Sequence, residues 1–194
     1  MMRRILRLLA CGAVVLSLVA CTPTGCAVGD TQDSMPSVAH DSTHKTDITV
    51  GFVGSTDTAA DKKAIDALAD DTLNVYYASL DTSGDSETAD KIAATAQQGI
   101  TDFVDRAVKI VIISGIDVTD ANRDSWNQAL TNAHEAGIPV ALLNPKHAPE
   151  DELLYAAILN TDDAASAKSV SIADAVITIT RDEPHDRTIA VATE

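Results

Sequence analysis

Apolar residues in the middle of the chain fall into short unbroken runs, separated by longer segments in which they recur every three or four positions. Residues 108–113 form one such run, rich in β-branched side chains, which is typical of a strand buried on both faces of a parallel sheet. Trp126, Leu130 and Ala133 follow at helical spacing, and Gly137 is placed to end that helix. Residues 138–143 form the next apolar run. The pattern predicts a strand, a helix and a second, parallel strand.

The same alternation extends to both sides of this central unit. Four further strands are predicted, at residues 47–53, 73–79, 153–160 and 188–192. Three further helices are predicted, at residues 59–69, 86–106 and 164–181. The first of these helices places Ala60, Ala64 and Leu68 on its inward face. Strands and helices alternating in this way indicate an α/β fold, a three-layer, doubly wound and mostly parallel sheet in one domain at residues 47–194.

Polar side chains follow the predicted strands at the points where the strands end. These candidate ligand-binding residues are Ser55, Thr56 and Asp57 after the first strand, Ser114 and Asp117 after the third, Asn144 after the fourth, and Asn160 and Asp162 after the fifth. The carboxyl ends of parallel strands meet at one edge of the sheet, where open α/β folds bind their ligands. Helix capping explains Ser55, Thr56 and Asp57 about as well, and a plain turn explains Ser114 and Asp117 about as well.

The sequence carries no pattern that indicates catalysis. The turn at Gly54 has neither the lysine-containing phosphate loop nor the glycine pattern of dinucleotide-binding proteins. No carboxylate pair, nucleophile with a base, or zinc spacing stands out, so neither an enzyme nor a cofactor or metal is expected. The formal charge of −15, from 29 acidic and 14 basic residues, argues against nucleic acid as a partner.

Residues 133–140, Ala-His-Glu-Ala-Gly-Ile-Pro-Val, resemble a motif of bacterial periplasmic sugar-binding proteins of the ribose-binding class. In that family a helix ending A-x-x-A-G-I-P-V leads into a strand. The resemblance implies the N-terminal lobe of a periplasmic-binding-protein type 1 fold, with strand order 2-1-3-4-5-6 and strand-end side chains that contact sugar hydroxyls. Asp81, Asp85, Gln97 and Gln98 are similar to the family's second loop and helix.

The end of the fourth strand departs from this family pattern. Relatives usually have Asp there, often followed by Arg, whereas this chain has Asn144, Pro145 and Lys146. An asparagine amide can still donate to and accept from sugar hydroxyls, but proline offers no donor. Aromatic residues make up only 3% of the chain, which leaves few stacking platforms for a sugar. Trp126 is expected in the core, with the ligand face as the alternative.

The first twenty residues have the layout of a secretory signal, a basic start followed by an apolar run at residues 8–20. Residues 18–21, Leu-Val-Ala-Cys, resemble a bacterial lipobox, which implies cleavage before Cys21 and lipid attachment to its thiol. An ordinary signal peptide with an incidental cysteine is the alternative. Residues 21–46 are polar, without apolar periodicity, and are interpreted as a lipidated N-terminus and flexible tether. The protein is therefore expected at the extracytoplasmic face of the cell membrane.

Together these features suggest the sugar-binding lipoprotein of an ABC importer, which would work with a carbohydrate ligand, an ABC permease and the lipid bilayer. The resemblance covers only the first lobe of a fold that has two lobes in this family, which implies a truncated product with exposed apolar surface and self-association. Monosaccharide binding by one lobe alone is expected to be no better than millimolar. The alternative is a stand-alone surface lipoprotein that acts as an interaction module and binds no sugar.

Overall fold

A computed structural model describes residues 44–80, 89–162 and 168–193. The signal, Cys21, most of the tether, and Asp81 and Asp85 lie outside the described residues. Among the residues described, no helix is long and apolar enough to cross a membrane.

Seven strands and four α-helices make up the described part of the chain. The strands are β1 (Thr49–Val53), β2 (Asn74–Ala78), β3 (Ile110–Ser114), β4 (Val140–Leu143), β5 (Ala157–Asn160), β6 (Val170–Ser171) and β7 (Thr188–Ala192). The helices are α1 (Thr58–Asp70), α2 (Ala89–Asp105), α3 (Arg123–Glu135) and α4 (Ile172–Thr180). Short 3₁₀ turns occupy Lys45–Asp47 and Glu152–Leu154.

All seven strands run parallel in one sheet, in the order β2-β1-β3-β4-β5-β7-β6. The predicted α/β class is confirmed. The predicted order 2-1-3-4-5-6 is also confirmed, because the strand predicted as the sixth is β7 and it lies next to β5. The structure adds the two-residue strand β6 beyond it at the edge. The prediction of a helix at this position is wrong, because Val170–Ser171 is extended. The Ser171 hydroxyl accepts the Asp174 N–H and caps α4.

The four helices cover the two faces of the sheet in pairs. The residues of α1 and α4 share one buried apolar cluster, and those of α2 and α3 share the other. Strands β3 and β4 lie between the two clusters and are buried along their whole length. Their unbroken apolar runs, which predicted burial on both faces, match this three-layer arrangement.

The ends of several elements differ from the predicted bounds. Residues 153–160 were predicted as one strand, but a 3₁₀ turn at Glu152–Leu154 precedes it and the strand begins at Ala157. The Asp151 carboxylate accepts the Leu153 N–H and holds that turn. Gly137 has a φ of +71° just beyond α3, which confirms its predicted role at the helix end.

Candidate functional site

The candidate site lies at the carboxyl edge of the sheet, beside strand β1. The chain leaves β1 for β2 on one side and later returns to β3 on the other side. Loops that follow neighbouring strands therefore diverge here, and such a switch point is the usual ligand crevice of open α/β sheets. Ser55 follows β1 and Ser114 ends β3, so both predicted residues lie at this point.

Two cavities open at this edge, one on each side of the switch point. The α2 cavity, of about 320 Å³, is lined by side chains that include Leu80, Ala93, Ile116 and Trp126. The α1 cavity, of about 630 Å³, is lined by residues that include Lys63, Thr161 and Thr193. Of the predicted site residues, Ser55, Thr56, Asp57, Ser114, Asp117 and Asn144 line the α2 cavity. Asn160 and Asp162 line neither cavity.

A buried carboxylate that was not predicted holds the loop after β1. Asp61 is fully buried, and its side chain accepts the Ser55 N–H at 2.6 Å and the Ser55 hydroxyl at 3.0 Å. The Tyr77 hydroxyl lies 3.4 Å from the same carboxylate. Ala60, predicted to face the core, is exposed instead, because the inward face of α1 is built from Asp61, Ala64 and Leu68. The sequence did carry a signal for this burial, because Asp61 precedes Ala64 and Leu68 at helical spacing and so lies on the same face of α1.

The turn between β1 and α1 is satisfied largely by its own hydrogen bonds. Asp57 caps α1, since its side chain accepts the Ala60 N–H at 3.0 Å. The Ser55 hydroxyl accepts the Asp57 N–H at 3.0 Å while it donates to Asp61. Ser55 therefore has one lone pair left for a ligand donor, and Asp57 keeps its second carboxylate oxygen.

Asp117 joins the loops that follow β3 and β4. Its carboxylate lies 2.7 Å from the His147 ring nitrogen Nδ1, and the two backbones form a parallel bridge. The Asp117 carbonyl also accepts the Asn122 amide at 3.1 Å. Asn122 directly precedes α3, but its side chain accepts the Thr119 N–H instead of capping the helix.

Asn144 binds the end of β5 rather than standing free. Its side-chain amide donates to the Thr161 hydroxyl at 2.7 Å and accepts the Thr161 N–H at 2.9 Å. Its φ of +45° is a left-handed conformation that asparagine tolerates better than most residues. One N–H and one lone pair of the amide remain for other partners. Beyond it, the Asn160 side chain accepts the Asp162 N–H at 2.9 Å, so these two residues form a turn of their own.

Trp126 combines the two alternatives that the sequence left open. Its side chain is buried, 2% exposed, in the cluster of α2 and α3, and it also forms part of the wall of the α2 cavity. Its indole N–H is buried without a hydrogen-bond partner among the described residues. A buried donor of this kind is uncommon in folded proteins and is costly to leave unpaired.

Three solved structures are similar to this chain over part of its length. The periplasmic binding protein component of the arabinose ABC transporter from Shewanella sp. ANA-3, bound to α- and β-L-arabinofuranose, is 18% identical, with a TM-score of 0.42 over 62% of this chain and 37% of that one. A galactofuranose binding protein is 16% identical, with a TM-score of 0.44 over 74% of this chain and 56% of that one.

The third is a Mycobacterium smegmatis protein in complex with β-D-fucofuranose. It is 17% identical, with a TM-score of 0.43 over 75% of this chain and 55% of that one. This chain thus spans between 37% and 56% of the length of the three structures. No family model and no curated protein matches the sequence.

Proposed function

We propose that this protein is the sugar-binding lipoprotein of an ABC importer, with the described domain providing one wall of the binding site. The observation that carries the proposal is the α2 cavity, whose lining combines polar strand ends with apolar side chains that include Trp126. A sugar has hydroxyls around its rim and C–H groups on its faces, so it needs both kinds of surface. The sequence resemblance at residues 133–140 supports the same function.

The polar groups left unused in the cavity suit hydroxyl recognition. Ser55, Asp57 and Asp117 each keep an acceptor site, while Asn144 and Ser114 can each donate. The cavity is open to water, so each hydroxyl contact contributes only about 0.5–1.5 kcal/mol net. Three or four such contacts reach about 4 kcal/mol, which corresponds to a dissociation constant of about 1 mM.

We therefore expect free monosaccharides to bind with a Kd of about 1 mM or weaker. Trp126 is the one tryptophan of the chain and lines the cavity, so its fluorescence can follow a titration with arabinose, galactose, fucose, glucose and ribose. Asp117→Ala should weaken binding at least threefold, because it removes an acceptor at the rim. Asp66→Ala, an exposed change on α1 away from both cavities, is the matched control. Micromolar binding of a free monosaccharide would contradict the energy estimate.

The proposal includes attachment to the membrane through Cys21, at the extracytoplasmic face. We expect Cys21→Ser to abolish lipid modification and to release the protein from the membrane fraction or leave its signal uncut. Mass spectrometry of the N-terminal peptide, with Cys26→Ser as the control, measures this directly. An unmodified N-terminus at a residue other than Cys21 in the wild-type protein would exclude the lipid anchor.

A stand-alone interaction module that binds no sugar is the second candidate function. The observation in its favour is that Ser55, Asp57 and Asn144 all make hydrogen bonds within the chain. Their local roles need no ligand. Complete absence of a fluorescence response to every sugar, at concentrations well above the expected Kd, would favour this second function over the first.

A further inference from the structure

The two cavities at the sheet edge adjoin each other, because four residues line both of them. These shared residues are Asp57, Ala60, Ser114 and Asn144. They come from the start of α1 and from the carboxyl ends of β3 and β4, and they form a junction directly over the switch point. A ligand larger than one sugar ring can therefore extend from one cavity to the other.

Ser114 gives the junction a polar group that the protein itself does not use. Its side chain is only 8% exposed at the end of β3, and it makes no hydrogen bond to another described residue. The hydroxyl of a largely buried serine normally has a partner, in the protein or in water. An oxygen atom of a ligand that crosses the junction would supply one, because the hydroxyl can donate its proton to an ether or hydroxyl oxygen.

The walls of the two cavities differ in chemistry. The α2 cavity has an apolar wall that includes Leu80, Ile116 and Trp126, which suits the C–H face of a ring. The α1 cavity is also lined by Lys63, Thr161 and Thr193, which suit a hydroxyl-rich unit. The two cavities therefore suit a ligand with two linked units, one packed on an apolar wall and the other hydrogen-bonded to polar side chains.

We infer that this site takes an oligosaccharide of at least two rings, which crosses Ser114 with one ring in each cavity. The inference rests on the proposed sugar-binding function and specifies its substrate class. The α2 cavity alone lies near the lower end of the range for small-molecule sites, about 300–1,000 Å³, whereas the two cavities together approach its upper end. A single ring occupies at most part of one cavity and leaves the other cavity to water.

The test compares single rings with linked rings on the full chain purified in detergent. Pentoses and hexoses are titrated beside di- and trisaccharides built from them, with tryptophan fluorescence and calorimetry as readouts. At least one disaccharide should bind at least tenfold more tightly than either of its component monosaccharides. Ser114→Ala should reduce that advantage. Equal Kd values for monosaccharides and all the linked sugars would overturn the inference but leave the proposed function standing, whereas no binding of any sugar would reject both.

Ala60 allows the junction itself to be blocked. Its side chain is exposed at the start of α1 and lines both cavities, so Ala60→Leu narrows the passage between them without filling the core. The disaccharide advantage should fall from at least tenfold to below threefold in this variant. Ala69→Leu places the same side chain at an exposed position near the other end of α1 and should keep the full advantage. An unchanged advantage in Ala60→Leu would show that the ligand does not cross the junction.

Discussion

Replacement of Asp61 by alanine should lower the free energy of unfolding by about 3 kcal/mol, because it leaves partly buried donors without an acceptor and a gap beneath the turn after β1. The Ser55 N–H and hydroxyl both donate to this carboxylate, and the Tyr77 hydroxyl approaches it from β2. Asp61 is fully buried, so water cannot take its place without opening the turn after β1. Urea unfolding followed by circular dichroism measures the loss of stability.

Two further variants distinguish the contribution of the Asp61 hydrogen bonds to stability from the effect of its charge and from the effect of any substitution on α1. Asp61→Asn keeps one acceptor and should cost only about 1 kcal/mol, since the amide can donate to the Ser55 hydroxyl after that hydroxyl rotates. Asp66→Ala removes an exposed carboxylate that pairs with Lys62 on the same helix, and should cost no more than about 0.5 kcal/mol. A similar loss for Asp61→Ala and Asp66→Ala would refute the role assigned to Asp61.

Gly51→Ala should also be destabilising by about 3 kcal/mol, here through overpacking. A Cβ atom at position 51 would lie 2.5 Å from the Cγ atom of Phe103, a distance that real side chains do not tolerate. Gly51 lies in the middle of β1 between β2 and β3, and Phe103 is buried in α2, so neither can move away without shifting the sheet or the helix. Thermal and urea unfolding of the variant measure the cost.

A double-mutant cycle tests whether Phe103 is the cause. In a Phe103→Ala background the ring is gone and only the contact of 2.9 Å with the Cβ atom of residue 103 remains, so Gly51→Ala should then cost only about 1 kcal/mol. Gly137→Ala is the control: its Cβ would meet nothing within 4 Å, and its φ of +71° alone should cost about 1 kcal/mol in either background. Additive effects of the changes at positions 51 and 103 would rule out the steric explanation.

Much of the fold could be predicted because its buried strands and helices have clear apolar periods. The runs at β3 and β4 and the spacing of Trp126, Leu130 and Ala133 all matched the structure. Strand β6 was missed because Val170 continues a helical period from the preceding residues, and only its pairing with Val191 on β7 makes it extended. A two-residue strand depends on such a distant partner and leaves no periodic signal of its own.

The site could be predicted in position but only partly in detail. Because parallel strands end together, Ser55, Ser114 and Asn144 were expected at one edge, and the structure places them there. The pairing of Asn144 with Thr161, seventeen residues away, depends on the adjacency of β4 and β5. The burial of Asp61 was missed because acidic residues are rarely buried unless they have partners, and its partners Ser55 and Tyr77 lie outside its own helix.

The chain enters the domain at the edge of the sheet opposite to the cavities. The Asn74 side chain donates a hydrogen bond of 2.6 Å to the Thr46 carbonyl, which holds the entry point beside the amino end of β2. Under the proposed lipid attachment at Cys21, residues 21–46 have an extended reach of about 90 Å. A five-residue strand such as β1 is only about 17 Å long. A tether shorter than the domain would keep the cavities turned away from the bilayer. Residues 21–46 are long enough for the domain to turn over and face a membrane-embedded partner.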